Sequence, residues 1–273
     1  MRRPLARGGM GGVYLAESSV TGEQVALKVL EPQFAFAPEV VARLLAEHAL
    51  AARTSHPGVV QIQAARETPD GMPYLVMEYL DGETLQQKHD KGPLEISAII
   101  ELVAQAAAAL AALHAVGVIH CDVKHDNVFV CADGRVKVID LGVARTTDEV
   151  FNPDEQICGT PWCMAPEQWR GRPELKSDVY SLGCMLYELT TGGQPFSGSL
   201  PALMLAHLEE RPARPSWLRT MPLALERIIL RAMAKDPAMR PTMNEIACDL
   251  AELADDVANC LSTTMPMAMR RAG

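Results

Sequence analysis

The sequence predicts an α+β fold in two parts, a small antiparallel β-sheet with one main helix followed by a larger, mainly helical part. Three observations predict it. Residues 1–80 hold short β-rich runs separated by turn residues, long segments with helical spacing dominate afterwards, and the change falls at Asp81-Gly82. The chain has 273 residues, enough for two packed bodies, since single cores stop growing at roughly 250–300 residues. With 48% hydrophobic and 22% charged residues, it has the composition of a globular protein that can bury a core.

In order along the chain, Val13–Ala16 and Val25–Leu30 read as strands around the turn-like Ser18-Ser19-Val20-Thr21-Gly22. From Pro38 to about Arg53, Val40, Val41, Leu44, Leu45 and Ala49 recur at helical spacing until Pro57-Gly58 stops the pattern. Tyr74–Met77 is a further strand. Beyond Gly82, helices are expected over Glu95–Ala115 closed by Gly117, Ser177–Thr191 closed by Gly192, Pro201–Glu210, Pro222–Ala234 and Pro241–Leu253. One hairpin interrupts them, Asn127–Val130 and Val136–Ile139 flanking Ala132-Asp133-Gly134. The division expected is therefore 1–80 for the first part, 81–261 for the second, and a Met-rich, aperiodic tail over 262–273 that is expected to fray. No internal repeat is visible.

Composition excludes several classes of partner. The excess of 34 acidic over 25 basic residues, a net charge of −9, argues against a broad nucleic-acid or anionic-lipid footprint. Seven cysteines with no C-x-x-C pair suit a reducing, cytoplasmic setting better than a disulfide framework or a zinc site. The start, Met1-Arg2-Arg3-Pro4, lacks the apolar stretch of a secretory signal, and the longest apolar run, Ala104 to Leu113, reads as too short to span a membrane.

The chemistry begins with Leu5-Ala6-Arg7-Gly8-Gly9-Met10-Gly11-Gly12-Val13-Tyr14, a glycine-rich turn between strands that lets backbone N–H groups approach phosphates. Alone it also fits a flexible hairpin. In the next strand Ala26 and Lys28 share a face, so a small residue and a cation line one wall; an ordinary exposed lysine is the competing reading. Glu47 on the following helix offers that lysine a partner, against the alternative of a solvated helix residue. A denser cluster follows in His120-Cys121-Asp122-Val123-Lys124-His125-Asp126-Asn127, with Asp140-Leu141-Gly142 thirteen residues after Asn127. A surface loop is the bland reading of a D-x-K-x-x-N string taken by itself.

These motifs, in this order, resemble the eukaryotic-type (Hanks-type) serine/threonine protein kinase family, and the Gly-Gly-Met-Gly loop looks most like its bacterial members. The resemblance runs from Leu5 to about Leu253 and continues through Gly159-Thr160-Pro161-Trp162-Cys163-Met164-Ala165-Pro166-Glu167, Asp178 and Arg240. It implies a two-lobed protein kinase-like fold that transfers the γ-phosphate of ATP to protein hydroxyls with Mg2+ or Mn2+. It further implies Asp122 as the group accepting the hydroxyl proton, Lys124 at the reacting phosphate, Lys28 paired with Glu47, and Asn127 and Asp140 as metal ligands. Nucleotide contacts fall on Leu5, Ala6, Gly8, Gly9, Met10, Gly11, Val13, Ala26, Lys28 and Met77, with the Glu78 carbonyl and Leu80 amide at the adenine edge. Glu167 and Arg240 are implied to form a buried ion pair, and Asp178 to hydrogen-bond the catalytic-loop backbone. Protein substrates, the chain itself included, follow as partners.

The sequence departs from the family at four places. Only Met1 to Pro4 precede Leu5, so the first strand is expected to be short. Ala6 stands at the first glycine position, where a positive φ would strain it and an extended backbone would not. Cys121 replaces the arginine that would hold an activation-loop phosphate, so activity is expected not to require phosphorylation at Thr146, Thr147 or Thr160. It is read as a half-buried small apolar residue in preference to a redox sensor. His125 replaces a common proline, a change expected to matter little. The rival readings are a nucleotide-binding pseudokinase or scaffold without turnover, a small-molecule phosphotransferase, which would lack the G-T-P-x-x-x-A-P-E platform, and a binding protein without catalysis, which would leave the five polar site residues unexplained.

Overall fold

A computed structural model of the chain describes residues 3–8, 11–19, 21–35, 37–149 and 158–264, the last four by their backbone alone. Gly9 and Met10 and most of the expected tail lie outside the described residues. The first part is a five-stranded antiparallel sheet of β1 (Arg3–Arg7), β2 (Gly11–Glu17), β3 (Gln24–Leu30), β4 (Ile62–Glu67) and β5 (Pro73–Glu78), with α1 (Pro38–Ala51) inserted after β3. The spatial order is β1-β2-β3-β5-β4. Despite the short lead-in to Leu5, β1 forms and pairs with β2, with a register shift between Pro4 and Ala6.

Register decides which side chains meet. Val13 lies opposite Lys28 and Lys28 opposite Leu75, while Leu15 lies opposite Ala26 and Ala26 opposite Met77. Directly opposed residues share a face, and alternate residues return to it. Val13, Ala26, Lys28 and Met77, chosen from scattered motifs, thus fall on one face. Gly11 is needed for a steric reason, because a Cβ there would sit 2.2 Å from the Val29 carbonyl oxygen.

The second part consists of β6 (Gly82–Thr84), α2 (Leu85–Asp90), α3 (Ile96–Ala115), β7 (Val118–Ile119), β8 (Val128–Cys131), β9 (Val136–Val138), β10 (Arg145–Thr146), α4 (Pro166–Trp169), α5 (Leu175–Thr191), α6 (Leu200–Glu209), α7 (Leu223–Ala232) and α8 (Met243–Thr264). The expected hairpin is β8–β9, joined on its other side by β6. Gly192 ends α5 in the left-handed conformation at φ 81°, where a residue without Cβ stops a helix at little cost.

Two expectations are corrected. α8 continues past Leu253 to Thr264, three residues into the expected tail, because Leu250, Leu253 and Val257 keep an apolar stripe against the core. α3, read as too short an apolar run to span a membrane, is 20 residues long with a mean hydropathy of 2.0, long and apolar enough by length and composition. Counting only the alanine-rich run missed Ile96, Ile99, Ile100, Leu102 and Val103. Its packing identifies it as the core helix, since Ile99, Ile100, Val103, Ala106, Ala107, Leu110 and Leu113 are sealed inside the protein. Alanines on α3 let its neighbours approach closely, and α5 is buried along nearly its whole length.

Candidate active site

The sheet contributes a lysine clamped by two carboxylates. Lys28 Nζ on β3 lies 2.7 Å from Glu47 Oε2 on α1 and 2.7 Å from Asp140 Oδ1 after β9. Burial acts to lower the Lys28 pKa, and the two carboxylates outweigh it, holding the ammonium above the ordinary lysine range. Glu47 is buried, which pushes its carboxyl up, an effect that Lys28 offsets only in part. Asp140 stands in the open cleft; its packing acts to raise its carboxyl, and Lys28 pulls it below the usual range.

The helical part contributes an aspartate held on every side. Asp122 lies in the loop between β7 and β8. Its Oδ1 accepts from Thr160 Oγ1 at 2.6 Å, its Oδ2 is 2.9 Å from Lys124 Nζ, and Asn127 Nδ2 donates to the same Oδ2 at 3.1 Å. Lys124 also donates to Thr160 Oγ1 at 2.9 Å. Burial acts to lower the Lys124 pKa, and the Asp122 carboxylate overrides it, keeping the ammonium charged. The loop is anchored from below by buried Asp178 on α5, whose carboxylate accepts the N–H groups of His120 and Cys121 at 2.8 and 2.9 Å.

Two residues carry the strain of this geometry. Among the described residues, Cys121 at φ 65° and Asp140 at φ 64° are the only non-glycines with positive φ, a conformation that costs about 1–3 kcal/mol and persists where its surroundings over-determine it. Ala6 is in a strand instead, so the strain considered for it does not arise. The Cys121 side chain is buried, and burial pushes its thiol well above the ordinary range, which disfavours the reactive thiolate. His125 is buried as well, stacked on His89 with ring centroids 5.9 Å apart; burial pushes its imidazole down to about 4.

The remaining expected residues that the structure describes lie on β1, beside β2 and at the end of β5. Leu5 and Ala6 lie on β1, and Gly8 closes the glycine turn by donating to the Gly11 carbonyl at 2.8 Å. Met77 and Glu78 end β5, and Leu80 follows. The Glu78 side chain accepts from Lys137 Nζ at 2.7 Å and from the Gln61 N–H at 2.8 Å, and the Glu78 N–H donates to the Gln61 carbonyl at 3.0 Å. The Asn127 amide nitrogen is used within the loop, on the Asp122 carbonyl at 2.8 Å as well as its carboxylate, so its oxygen is the group left for a cation. Among the described residues, no group of three His, Cys, Asp or Glu is placed to hold a metal ion. Asn127 and Asp140 fit a hard cation that takes most of its oxygen ligands from phosphates and water.

Glu167 at the start of α4 forms the expected buried pair with Arg240, bidentate at 2.7 and 2.9 Å, and also accepts from Ser177 Oγ at 2.6 Å. Sequence reasoning missed the role of Thr160. It was weighed as a phosphate acceptor, yet its hydroxyl is buried between Asp122 and Lys124; the signal available was a hydroxyl residue directly after Gly159. Gln168 was also missed.

A lysine gripped by two carboxylates across a cleft from an aspartate braced by hydroxyl, ammonium and amide suits nucleotide-dependent phosphoryl transfer, where positioning and charge do the work. Residues 1–250 match the family described as the protein kinase domain, and the chain belongs to that family. Among curated relatives, serine/threonine-protein kinase PknB of Mycolicibacterium smegmatis is 39% identical over 265 residues, covering 93% of this chain and 42% of that protein. Serine/threonine-protein kinase Pkn1 of Myxococcus xanthus is 41% identical over 247 residues, covering 87% and 35%. PknE of Mycobacterium bovis, also named a serine/threonine-protein kinase, is 37% identical over 244 residues, covering 88% and 43%. The chain thus spans less than half the length of each.

Proposed function

We propose that this chain is a protein-serine/threonine kinase that transfers the γ-phosphate of Mg-ATP to serine or threonine hydroxyls of protein substrates, itself included. The observation that carries the reading is the Asp122 carboxylate, held within 2.9 Å of both Thr160 Oγ1 and Lys124 Nζ. In this reading Asp122 accepts the proton of the substrate hydroxyl as its oxygen bonds to the γ-phosphorus and the bond to the β-phosphate oxygen breaks, ADP leaving, while Lys124 balances charge on the transferring phosphoryl oxygens. Lys28, aimed by Glu47, meets the phosphates, and the backbone at Gly8 and Gly11 approaches them. Leu5, Val13, Ala26 and Met77 wall the base. Asn127 and Asp140 would hold Mg2+, or Mn2+ in its place, to neutralise the phosphates.

Residues 1–80 would then act as the nucleotide lobe and 81–261 as the lobe that receives the protein substrate. An ATP-dependent reaction and seven free cysteines support a cytoplasmic setting. The test is transfer from labelled Mg-ATP to a generic basic protein and to the chain itself, comparing wild type with Asp122→Asn. Label on serine and threonine with wild type and its loss in the variant is the expected result. A wild type that binds ATP without any transfer would make the chain a pseudokinase.

A further inference from the structure

We propose that Gln168 is a positioning residue whose carboxamide ties the activation segment to the catalytic loop and so keeps Asp122 apposed to Thr160; this rests on the kinase reading. Gln168 lies in α4 and is 3% exposed. Its Nε2 donates to the Cys121 carbonyl at 2.6 Å and to the Cys158 carbonyl at 2.8 Å. One nitrogen therefore bridges two segments, 47 and 10 residues away along the chain.

The first contact falls at a decisive place. The Cys121 carbonyl and the Asp122 N–H belong to one rigid peptide plane. Gln168 holds the carbonyl side of that plane, and His120 Nδ1 accepts from the N–H side at 3.3 Å. Asp178 fixes the preceding N–H of Cys121. The left-handed Cys121 is thereby pinned before and after its α-carbon, which sets the direction in which Asp122 leaves the loop. The second contact holds Cys158, two residues before Thr160.

Two further observations show that the site is built around this amide. A Cβ at Gly159 would sit 2.5 Å from Gln168 Nε2 and 2.9 Å from the Cys121 oxygen, so glycine lets the two segments close on the amide. The Gln168 Oε1 is buried without a hydrogen-bond partner. Turning the amide over would set that oxygen against two carbonyls, so leaving it unpaired is the better arrangement. A carboxylate in its place would face two carbonyl oxygens, and a thioether would donate to neither.

The experiment compares wild type, Gln168→Met and Gln168→Glu by steady-state kinetics and by hydrogen exchange of the His120 to Asp122 amides. For Gln168→Met the expected result is a fall in kcat of roughly 10- to 100-fold, an ATP KM close to wild type, and faster exchange at those amides. For Gln168→Glu, burial and the two facing carbonyls raise the carboxyl's pKa, so the kcat relative to wild type should recover as pH is lowered from about 8 to about 6 and protonation restores one donor. Should the methionine variant not fold, the pH dependence of the glutamate variant decides alone. A kcat within about twofold of wild type for Gln168→Met, or a glutamate variant whose relative kcat ignores pH, would overturn the proposal. If wild type itself transfers no phosphate, the kinase reading fails, and the exchange rates alone decide the tie.

Discussion

The two sides of the cleft position their reactive groups by opposite means. On the sheet side Lys28 is held by ion-paired hydrogen bonds to two carboxylates, Glu47 and a half-exposed Asp140, on a sheet whose first strand is exposed at most of its positions. On the helical side Asp122 is held by a web that reaches through Asp178 and Gln168 into a core where α3 and α5 are sealed. Charge in an open cleft can be redirected when phosphates arrive, whereas a buried web fixes a direction and resists change. The lysine is built to exchange partners, and the aspartate is built to stay.

The largest expected effect tests the web at its far end. Arg240→Met leaves Glu167 as a buried carboxylate without its cation and should lower unfolding stability by about 3–5 kcal/mol, measured by urea denaturation. A loss below about 1 kcal/mol would mean that the pair is not what holds the segment. Next, Lys28→Met should reduce kcat by roughly 10²–10³-fold, measured by steady-state phosphate transfer, while costing less stability than Arg240→Met because the released Glu47 can take up a proton.

A smaller effect sharpens the contrast by finding charge sensitivity inside the helical part. His207 is fully buried, its Nδ1 3.0 Å from the Tyr180 hydroxyl. Burial first, and the Lys235 ammonium second, push its imidazole down to about 4. The unfolded chain takes up this proton at its ordinary pKa of about 6.5. The contribution of neutral His207 is therefore complete above that value and is lost as pH falls toward 4, by up to about 3 kcal/mol. Urea midpoints across that window should fall on acidification, and less so in His207→Phe; His125 contributes in the same direction. The smallest effect belongs to the exposed sheet edge, where Ala6→Gly should change stability by less than about 1 kcal/mol and leave the ATP KM nearly unaltered.

Residues whose chemistry is written in a short string, such as Asp122, Lys124, Asn127 and Asp140, were legible, because motif order carries them. Glu47 was legible only as a partner waiting for Lys28, and the structure supplies the contact that sets it apart from a solvated helix residue. Strand β4 was not legible, since Ile62-Gln63-Ala64-Ala65-Arg66-Glu67 lacks the β-branched alternation that marks a strand and takes its form from pairing with β5. Gln168 was hidden for another reason. Its partners are main-chain carbonyls, which have no signature in a sequence, and only the fold brings Cys121 and Cys158 to one nitrogen.

The Glu167–Arg240 pair also orders events in time. A ribosome delivers Lys28, Glu47 and Asp140 long before Arg240, and a domain generally folds as a unit. Until Arg240 is made, the segment around Glu167 lacks its counter-ion. Arg240, which also ties the Ala234, Lys176 and Lys235 carbonyls, is the arrival that sets the acceptor platform. A nascent chain halted before it would hold Glu167 without its cation, so the segment around Glu167 is completed only when synthesis of the domain is almost done.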